Sequence, residues 1–199
     1  MTPQRAAGIA GIVLVGAALV WVLFVGLPRW TASTPADPAP AADAPGQASP
    51  KIHARLFYVT PSGSRLMPVE REVDFADTPG AQARRLVEAQ LAPPPEGVVS
   101  AIPEGTKLRN LYVSGGIAYV DVTGEITTGH TGGSLAEILT VYSLVNVLTE
   151  NLPAVTSVQI LIDGKEADTL AGHVDLRRPL ERSPDWVDQP AAAADETTG

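Results

Sequence analysis

Hydrophobic residues recur on most sides of one segment, His130 to Pro153, and predict a long helix with both ends marked in the sequence. Two glycines precede the helix. Ser134 and Glu137 fit an S-x-x-E capping box, in which each side chain pairs with a backbone N–H that the first turn leaves free. Pro153 ends the helix because its ring removes a donor and disfavours helical geometry in the residue before it.

Polar residues occupy only a narrow stripe of this predicted helix. A helix on a protein surface has a broader polar face than this one. The pattern therefore predicts a helix that is either buried on several sides or covered by a partner protein. The polar stripe consists of Glu137, Thr140, Ser143, Asn146 and Glu150.

An uncharged apolar run at residues 6–27 predicts a transmembrane helix. The run is long enough to cross a hydrocarbon layer of about 30 Å, and Trp21 and Trp30 stand where interfacial aromatic residues belong. A cleaved signal peptide is the alternative, although such peptides have a shorter apolar region. The segment before the run is short, which favours a topology with the N-terminus on the inner side of the membrane and the rest of the chain on the outer side. We therefore assign residues 1–30 to a membrane anchor.

Composition divides the remainder of the chain into three parts. Residues 31–50 are rich in alanine and proline without apolar periodicity, which is typical of an extended linker. Residues 187–199 are predicted to form a disordered acidic tail. One folded domain, residues 51–186, is expected between them.

Within that domain, alternation and turn signals predict the element order β-β-α-β-β-α-β-β. Thr78 and Pro79 mark the start of the first helix, and Asp163-Gly164 is a strong signal for a tight hairpin. The order indicates an α+β fold in which two helices pack on one mostly antiparallel sheet. The predicted strands are residues 52–59, 65–75, 107–113, 117–122, 158–162 and 165–170.

Charge and cysteine content narrow the classes of function. The 199-residue chain has a formal charge of −8 and no cysteine. A nucleic-acid partner is disfavoured because binding a phosphate backbone needs a basic patch. The absence of cysteine excludes disulfides, thiol catalysis, thiolate metal sites and a lipid-modified cysteine in this sequence.

Several blocks of the domain resemble the GerMN domain of GerM-type proteins of spore germination and sporulation. They are IPEGTKL (residues 102–108), GGIAYVDVT (115–123), HTGGSLAEILTVYSLVNVLTE (130–150), VQILIDGKEADTLAGHVDL (158–176) and RRPL (177–180), in the family's order. The resemblance implies a non-catalytic extracytoplasmic module with a fold similar to the ring-building modules of secretion systems.

The chain departs from that family pattern in two ways. GerM-type proteins are lipoproteins with two such domains, linked to envelope-spanning assemblies made during sporulation. This chain has one copy, and a predicted membrane helix stands where a lipid-anchored cysteine would be. An envelope location is therefore expected, whereas a role in sporulation does not follow from the resemblance alone.

Candidate chemistry centres on the start of the long helix. Ser134 follows two glycines as a nucleophile could, but the G-x-S-x-G elbow is missing and the capping box explains the serine. The free N–H groups and the helix dipole there could instead bind an anion. The contacts of such a ligand-binding site would be His130, Gly132, Gly133 and Ser134.

Other polar residues offer weaker candidates. Asp121 and Glu125 could form the carboxylate pair of a glycan hydrolase, but a role in holding a loop is favoured because no second motif supports them. The histidines, His53, His130 and His173, lack the spacing of metal-binding motifs, so we predict no metal and no cofactor.

Three arginines, Arg177, Arg178 and Arg182, cluster near the end of the domain beside acidic residues. They could face anionic headgroups or wall polymers, although a mixed solvated surface is favoured.

These observations predict a membrane-anchored envelope protein that is not an enzyme. Its extracytoplasmic domain is expected to work by association, with itself or with another envelope protein. The alternative is a module that binds peptidoglycan or another wall polymer through residues 130–134 and the arginine cluster. A glycan hydrolase is a third interpretation.

Overall fold

A computed structural model describes residues 50–188 of the chain. The predicted membrane anchor, nearly all of the predicted linker and the tail after Asp188 lie outside these residues. Within the described range, no helix is both long and apolar enough to cross a membrane.

Residues 50–188 form seven strands, three α-helices and one 3-10 helix. In chain order they are β1 (Lys51–Val59), β2 (Leu66–Asp74), α1 (Pro79–Leu91), β3 (Leu108–Ser114), β4 (Ile117–Val122), α2 (Glu125–Thr128), α3 (Ser134–Asn151), β5 (Ser157–Ile162), β6 (Lys165–Glu166), β7 (Leu180–Glu181) and the 3-10 helix Pro184–Trp186.

The strands form two sheets, whereas the sequence pattern predicted one. β1 and β2 make an antiparallel pair, and a second sheet has the order β3-β4-β5-β6 with β7 also paired to β5. All pairs are antiparallel except β4 and β5, where Ala118 lies opposite Val158 in a parallel register. Parallel neighbours need a crossover connection, and α3 supplies it. The mixed α and β fold is confirmed, while the single sheet and the count of two helices are wrong.

Turn and cap signals were reliable guides to several elements. Thr78 caps α1 by accepting the N–H of Ala81 at 3.2 Å, as predicted. Asp163 and Gly164 have φ values of 51° and 77°, the left-handed geometry that a two-residue hairpin requires. The return strand after this hairpin contains only Lys165–Glu166, because the chain then leaves the sheet and runs towards α3.

The long helix α3 is buried by its own domain. It contacts α1, β1, β5, β7 and the 3-10 helix, so no partner protein is needed to explain its apolar circumference. Its ends match the prediction closely, since helical geometry begins at Ser134 and stops one residue before Leu152. Apolar residues on several sides of it, including Leu139, Val141, Leu144 and Val147, are at most 3% exposed.

The first four residues of the polar stripe of α3 are also buried, and three of them, Glu137, Thr140 and Asn146, bind distant segments of the backbone. Thr140 donates to the carbonyl of Ala101 at 2.6 Å. Asn146 exchanges hydrogen bonds with both backbone groups of Ser183. Among residues 50–188, every buried side-chain nitrogen and oxygen has a hydrogen-bond partner. The stripe therefore fastens loops to the helix instead of facing water.

Side-chain amides close the edge of β1 that faces away from β2. Asn151 accepts the N–H of Arg55 and donates to its carbonyl, both at 2.9 Å. Gln90 does the same for Phe57, at 2.8 and 2.7 Å. One residue of each of two helices thus takes the hydrogen-bonding role that a neighbouring strand would have.

Candidate functional site

The start of α3 has a different cap from the predicted one. Gly133 occupies the N-cap position, and in the described part of the chain no side chain caps this helix. Ser134 is the first helical residue, so it cannot act as the cap of its own helix. The predicted capping box is therefore wrong, and its second member, Glu137, has another role.

Glu137 is fully buried and holds the loop that follows β6. One carboxylate oxygen accepts the N–H groups of Leu170 and Val174, at 2.9 and 3.2 Å. The other accepts both the backbone N–H and the ring Nδ1 of His173, at 2.8 and 2.9 Å. A buried charge is tolerated only when its lone pairs are satisfied in this way.

The protonation of Glu137 follows from these contacts. Burial by itself raises the pKa of a carboxyl group, because it penalises the charged form. In Glu137, hydrogen bonds from backbone N–H groups of this loop and from the His173 ring outweigh burial and lower the pKa below its usual value. The carboxylate is therefore ionised at neutral pH and acts only as an acceptor.

A cavity of about 820 Å³ opens at the start of α3. All four predicted ligand contacts, His130, Gly132, Gly133 and Ser134, line it. The opposite wall is formed by residues 100–104 together with Val59. The lining residues carry a single carboxylate, that of Glu104, so the concavity is largely apolar and nearly uncharged.

The predicted contacts are not all free to bind a ligand. His130 accepts the N–H of Gly132 at its Nδ1, 2.9 Å away, and its Nε2 lies 3.3 Å from the hydroxyl of Thr140. Both ring nitrogens of His130 therefore have partners within the domain, in the turn before α3 and in α3 itself. The backbone N–H groups of residues 134–136 belong to the first turn, where no intrahelical acceptor is available.

The two candidate carboxylates of a glycan hydrolase have structural partners. Asp121 is buried and accepts the N–H of Gly164 at 2.7 Å beside the guanidinium of Arg109. Glu125 is exposed at the start of α2, where hydrogen bonds from the Thr123 side chain and from its own backbone lower its pKa. These contacts fix the loop after β4, which is the role that the sequence favoured.

The arginine cluster is largely neutralised by carboxylates. Arg177 forms two parallel hydrogen bonds to Asp175, both 2.9 Å long, and Arg182 pairs with Glu150 at 2.9 Å. Arg178 forms no ion pair with the acidic residues of the described range. No group of three or more potential metal ligands occurs within that range either.

A protein-family model described as "Germane: Sporulation and spore germination" matches residues 55–168. The chain belongs to the Germane family. The match runs from the middle of β1 to just beyond β6 and includes the whole of α3. The Germane family is a family of sporulation and spore germination proteins. The resemblance to GerMN domains is confirmed.

Solved GerMN domains share the fold of the Germane domain. The first GerMN domain of the sporulation protein GerM from Bacillus subtilis is 19% identical, with a TM-score of 0.51 over 66% of this chain and 98% of that chain. The tandem GerMN domains of the same protein match with a TM-score of 0.52, 17% identity and coverage of 66% of this chain and 46% of that one. A presumed lipoprotein from Clostridium perfringens matches at 20% identity with a TM-score of 0.48, over 67% and 89% of the two chains. No curated protein matches the sequence.

Proposed function

We propose that this chain is a non-catalytic, membrane-anchored envelope protein that works by binding another protein through the cavity at the start of α3. The observation that carries the proposal is the apolar, nearly uncharged lining of that cavity. Concave apolar surfaces with a few polar donors are typical of binding sites. Anchoring through residues 6–27 and an extracytoplasmic location remain part of the proposal.

Exposed apolar side chains at the cavity favour a protein partner. Leu135, in the lining, is 40% exposed, and Val99, next to the lining residue Ser100, is 64% exposed. Exposed apolar groups that cluster around a concavity mark interaction sites more often than singly scattered ones do. The free N–H groups at residues 134–136 would pair with backbone carbonyls of the partner.

The burial of α3 changes where the partner is expected to bind. The sequence pattern allowed a partner to cover the apolar helix, but the domain itself covers it. The proposed surface is therefore the helix start and the facing 99–104 loop, and not the length of the helix.

Site-specific photo-crosslinking in the host cell tests this proposal. A photoreactive amino acid replaces Leu135 in the full chain, and a matched control replaces Phe75, which is 46% exposed and does not line the cavity. We expect a protein adduct of defined mass from position 135 and none from position 75, and we expect Val99→Asp to abolish it. No adduct from position 135, or equal adducts from both positions, would refute the proposal.

Light scattering of the purified full chain then distinguishes self-association from binding to a different protein. If the partner is a second copy, the mass should rise with concentration, and Leu135→Asp should suppress that rise. A mass that stays constant with concentration assigns the adduct to another envelope protein.

Binding of a wall polymer is the second candidate function. The observation that favours it is that the guanidinium of Arg178 has no carboxylate partner in residues 50–188. Sedimentation of the full chain with isolated cell wall tests this candidate directly. Retention that disappears when Arg177 and Arg178 are substituted would support polymer binding, and its absence would exclude it.

A further inference from the structure

A second cavity, of about 490 Å³, lies on another side of α3. Its walls come from Ile138 and Tyr142 of the helix, from residues 173–175 and 178–180, and from Trp186. This volume falls within the range of small-ligand pockets, which is about 300–1,000 Å³. Unlike the cavity at the helix start, it combines a guanidinium, that of Arg178, with aromatic walls.

Arg178 gives this second cavity a positive charge. Asp175 also lines it, but the two parallel hydrogen bonds from Arg177 neutralise that carboxylate. The Arg177 guanidinium holds the pKa of Asp175 well below its usual range, so this carboxylate is ionised at neutral pH. The charge of Arg178 also helps to lower the pKa of Asp175, but Arg178 forms no ion pair within residues 50–188, so its planar donor set is left for a ligand.

His173 adds a positioned imidazole ring to the same wall. Its Nδ1 is bound to the buried carboxylate of Glu137 at 2.9 Å, yet 44% of its side chain is exposed. His173 lines the cavity, and because its Nδ1 is bound to Glu137, Nε2 is the ring nitrogen left for a ligand. A carboxylate that orients an imidazole in this way is a common support for polar binding groups.

The remaining lining residues are mostly apolar and would contact the apolar part of an organic ligand. Trp186 and Tyr142 supply aromatic surface, and the other apolar contributors are Ile138, Val174, Pro179 and Leu180. Burial, and then the charge of nearby Asp185, raises the pKa of Tyr142. The phenol of Tyr142 is therefore neutral at physiological pH, and Arg178 is the side chain of the lining that would attract an anionic group.

We propose that this cavity binds an organic carboxylate, with the carboxylate paired to Arg178 beside His173 and its apolar body against Trp186. Arg178 and a carboxylate have matching planar geometry, and two parallel N–H···O bonds make the pairing specific. This site shares no residue with the proposed protein-binding cavity, so the two proposals stand or fall separately.

Tryptophan fluorescence tests the proposed carboxylate site in the full chain. The sequence contains three tryptophans, and replacing Trp21→Phe and Trp30→Phe leaves Trp186 as the only reporter. The probes are N-acetyl-L-phenylalanine, its uncharged amide, and inorganic phosphate. We expect saturable binding of the first probe, with at least about tenfold weaker binding of the other two.

Arg178→Gln should weaken binding of N-acetyl-L-phenylalanine by about tenfold or more, because a charge-assisted pair is lost. Arg85→Gln is the matched control, since it makes the same charge change on an exposed residue outside the cavity. Arg178→Lys keeps the charge but not the planar donor set, so its affinity for N-acetyl-L-phenylalanine should lie between those of Arg178→Gln and Arg85→Gln. Circular dichroism verifies that each variant is folded.

Three results would overturn the carboxylate site. They are no saturable binding of N-acetyl-L-phenylalanine, equal binding of its amide or of phosphate, and equal losses in Arg178→Gln and Arg85→Gln. None of these results bears on the crosslinks expected at Leu135, so failure here is distinguishable from failure of the proposed function.

Discussion

The carboxylate of Glu137 and the imidazole of His173 are joined at Oε2 and Nδ1 over 2.9 Å, although 36 positions separate them in the chain. The same oxygen accepts the backbone N–H of His173, so side chain and main chain are fixed together. This contact ties the segment after β6 to the middle of the domain. It also sets the orientation of the imidazole that reaches the second cavity.

Replacing the buried carboxylate, Glu137→Gln, should destabilise the domain by about 2–4 kcal/mol. The amide has one acceptor oxygen in place of two, and its NH₂ group would face N–H donors of residues 170–174. Denaturation in urea, followed by circular dichroism, measures the change. Exposed Glu88→Gln is the control and should stay within about 0.5 kcal/mol. A loss below that of the control would show that the carboxylate does not hold the loop.

The stability difference between wild type and Glu137→Gln should depend on pH. The folded-state pKa of Glu137 is lowered, whereas the unfolded chain has a value of about 4.3. The stabilisation is therefore fully present above about pH 4.3 and is lost as pH falls through the folded pKa. The comparison isolates Glu137 because the two proteins have the same titratable groups at every other position. Urea denaturation at pH 7 and at about pH 3 should show a smaller difference at the lower pH, and a constant difference would refute the assignment.

Removing one of the amides that close β1, Gln90→Ala, should cost about 2–4 kcal/mol, since the buried backbone N–H and carbonyl of Phe57 would lose their partners. Amide hydrogen exchange should accelerate at Phe57. Glu88→Ala, two positions earlier on the exposed side of α1, controls for loss of a side chain in the same helix. Unchanged exchange at Phe57 together with a loss below about 1 kcal/mol would contradict this role.

Two glycines at helix starts should respond oppositely to alanine. Gly80, in the first turn of α1, has open space for a Cβ atom, so Gly80→Ala should stabilise the domain by about 0.5 kcal/mol. Gly133 caps α3 with a φ of 90°, and Gly133→Ala should therefore destabilise it by about 1–2 kcal/mol. Urea midpoints measure both changes, and the same sign at the two sites would refute the backbone argument.

Local signals in the sequence predicted the elements better than their assembly. Thr78 and Asp163-Gly164 act within a few residues, and both behave as predicted. The parallel pairing of β4 with β5 was missed, although a helix between two neighbouring strands is a signal for it. The number of sheets depends on long-range packing, which hydrophobic alternation does not encode.

The spacing of the polar stripe did not predict whether its residues would be buried or exposed. Residues at i and i+3, such as Glu137 and Thr140, share one face of a helix, but the spacing does not say whether water or backbone covers that face. Their partners, including Ala101 and His173, lie in loops without periodicity. The predicted contacts His130 to Ser134 do line a cavity, because helix-start signals are local in the sequence. The second cavity was not predicted, because its walls come from segments that only the folded chain brings together.

The closed edge of β1 limits how copies of this domain can polymerise. Exposed strand edges recruit strands from other molecules, and amyloid growth depends on that templating. With Asn151 and Gln90 bonded to Arg55 and Phe57, an incoming strand would find the middle of that edge already occupied. A ring or filament built from this domain must therefore be joined through surface side chains or through another strand, and β1 is protected from templated aggregation.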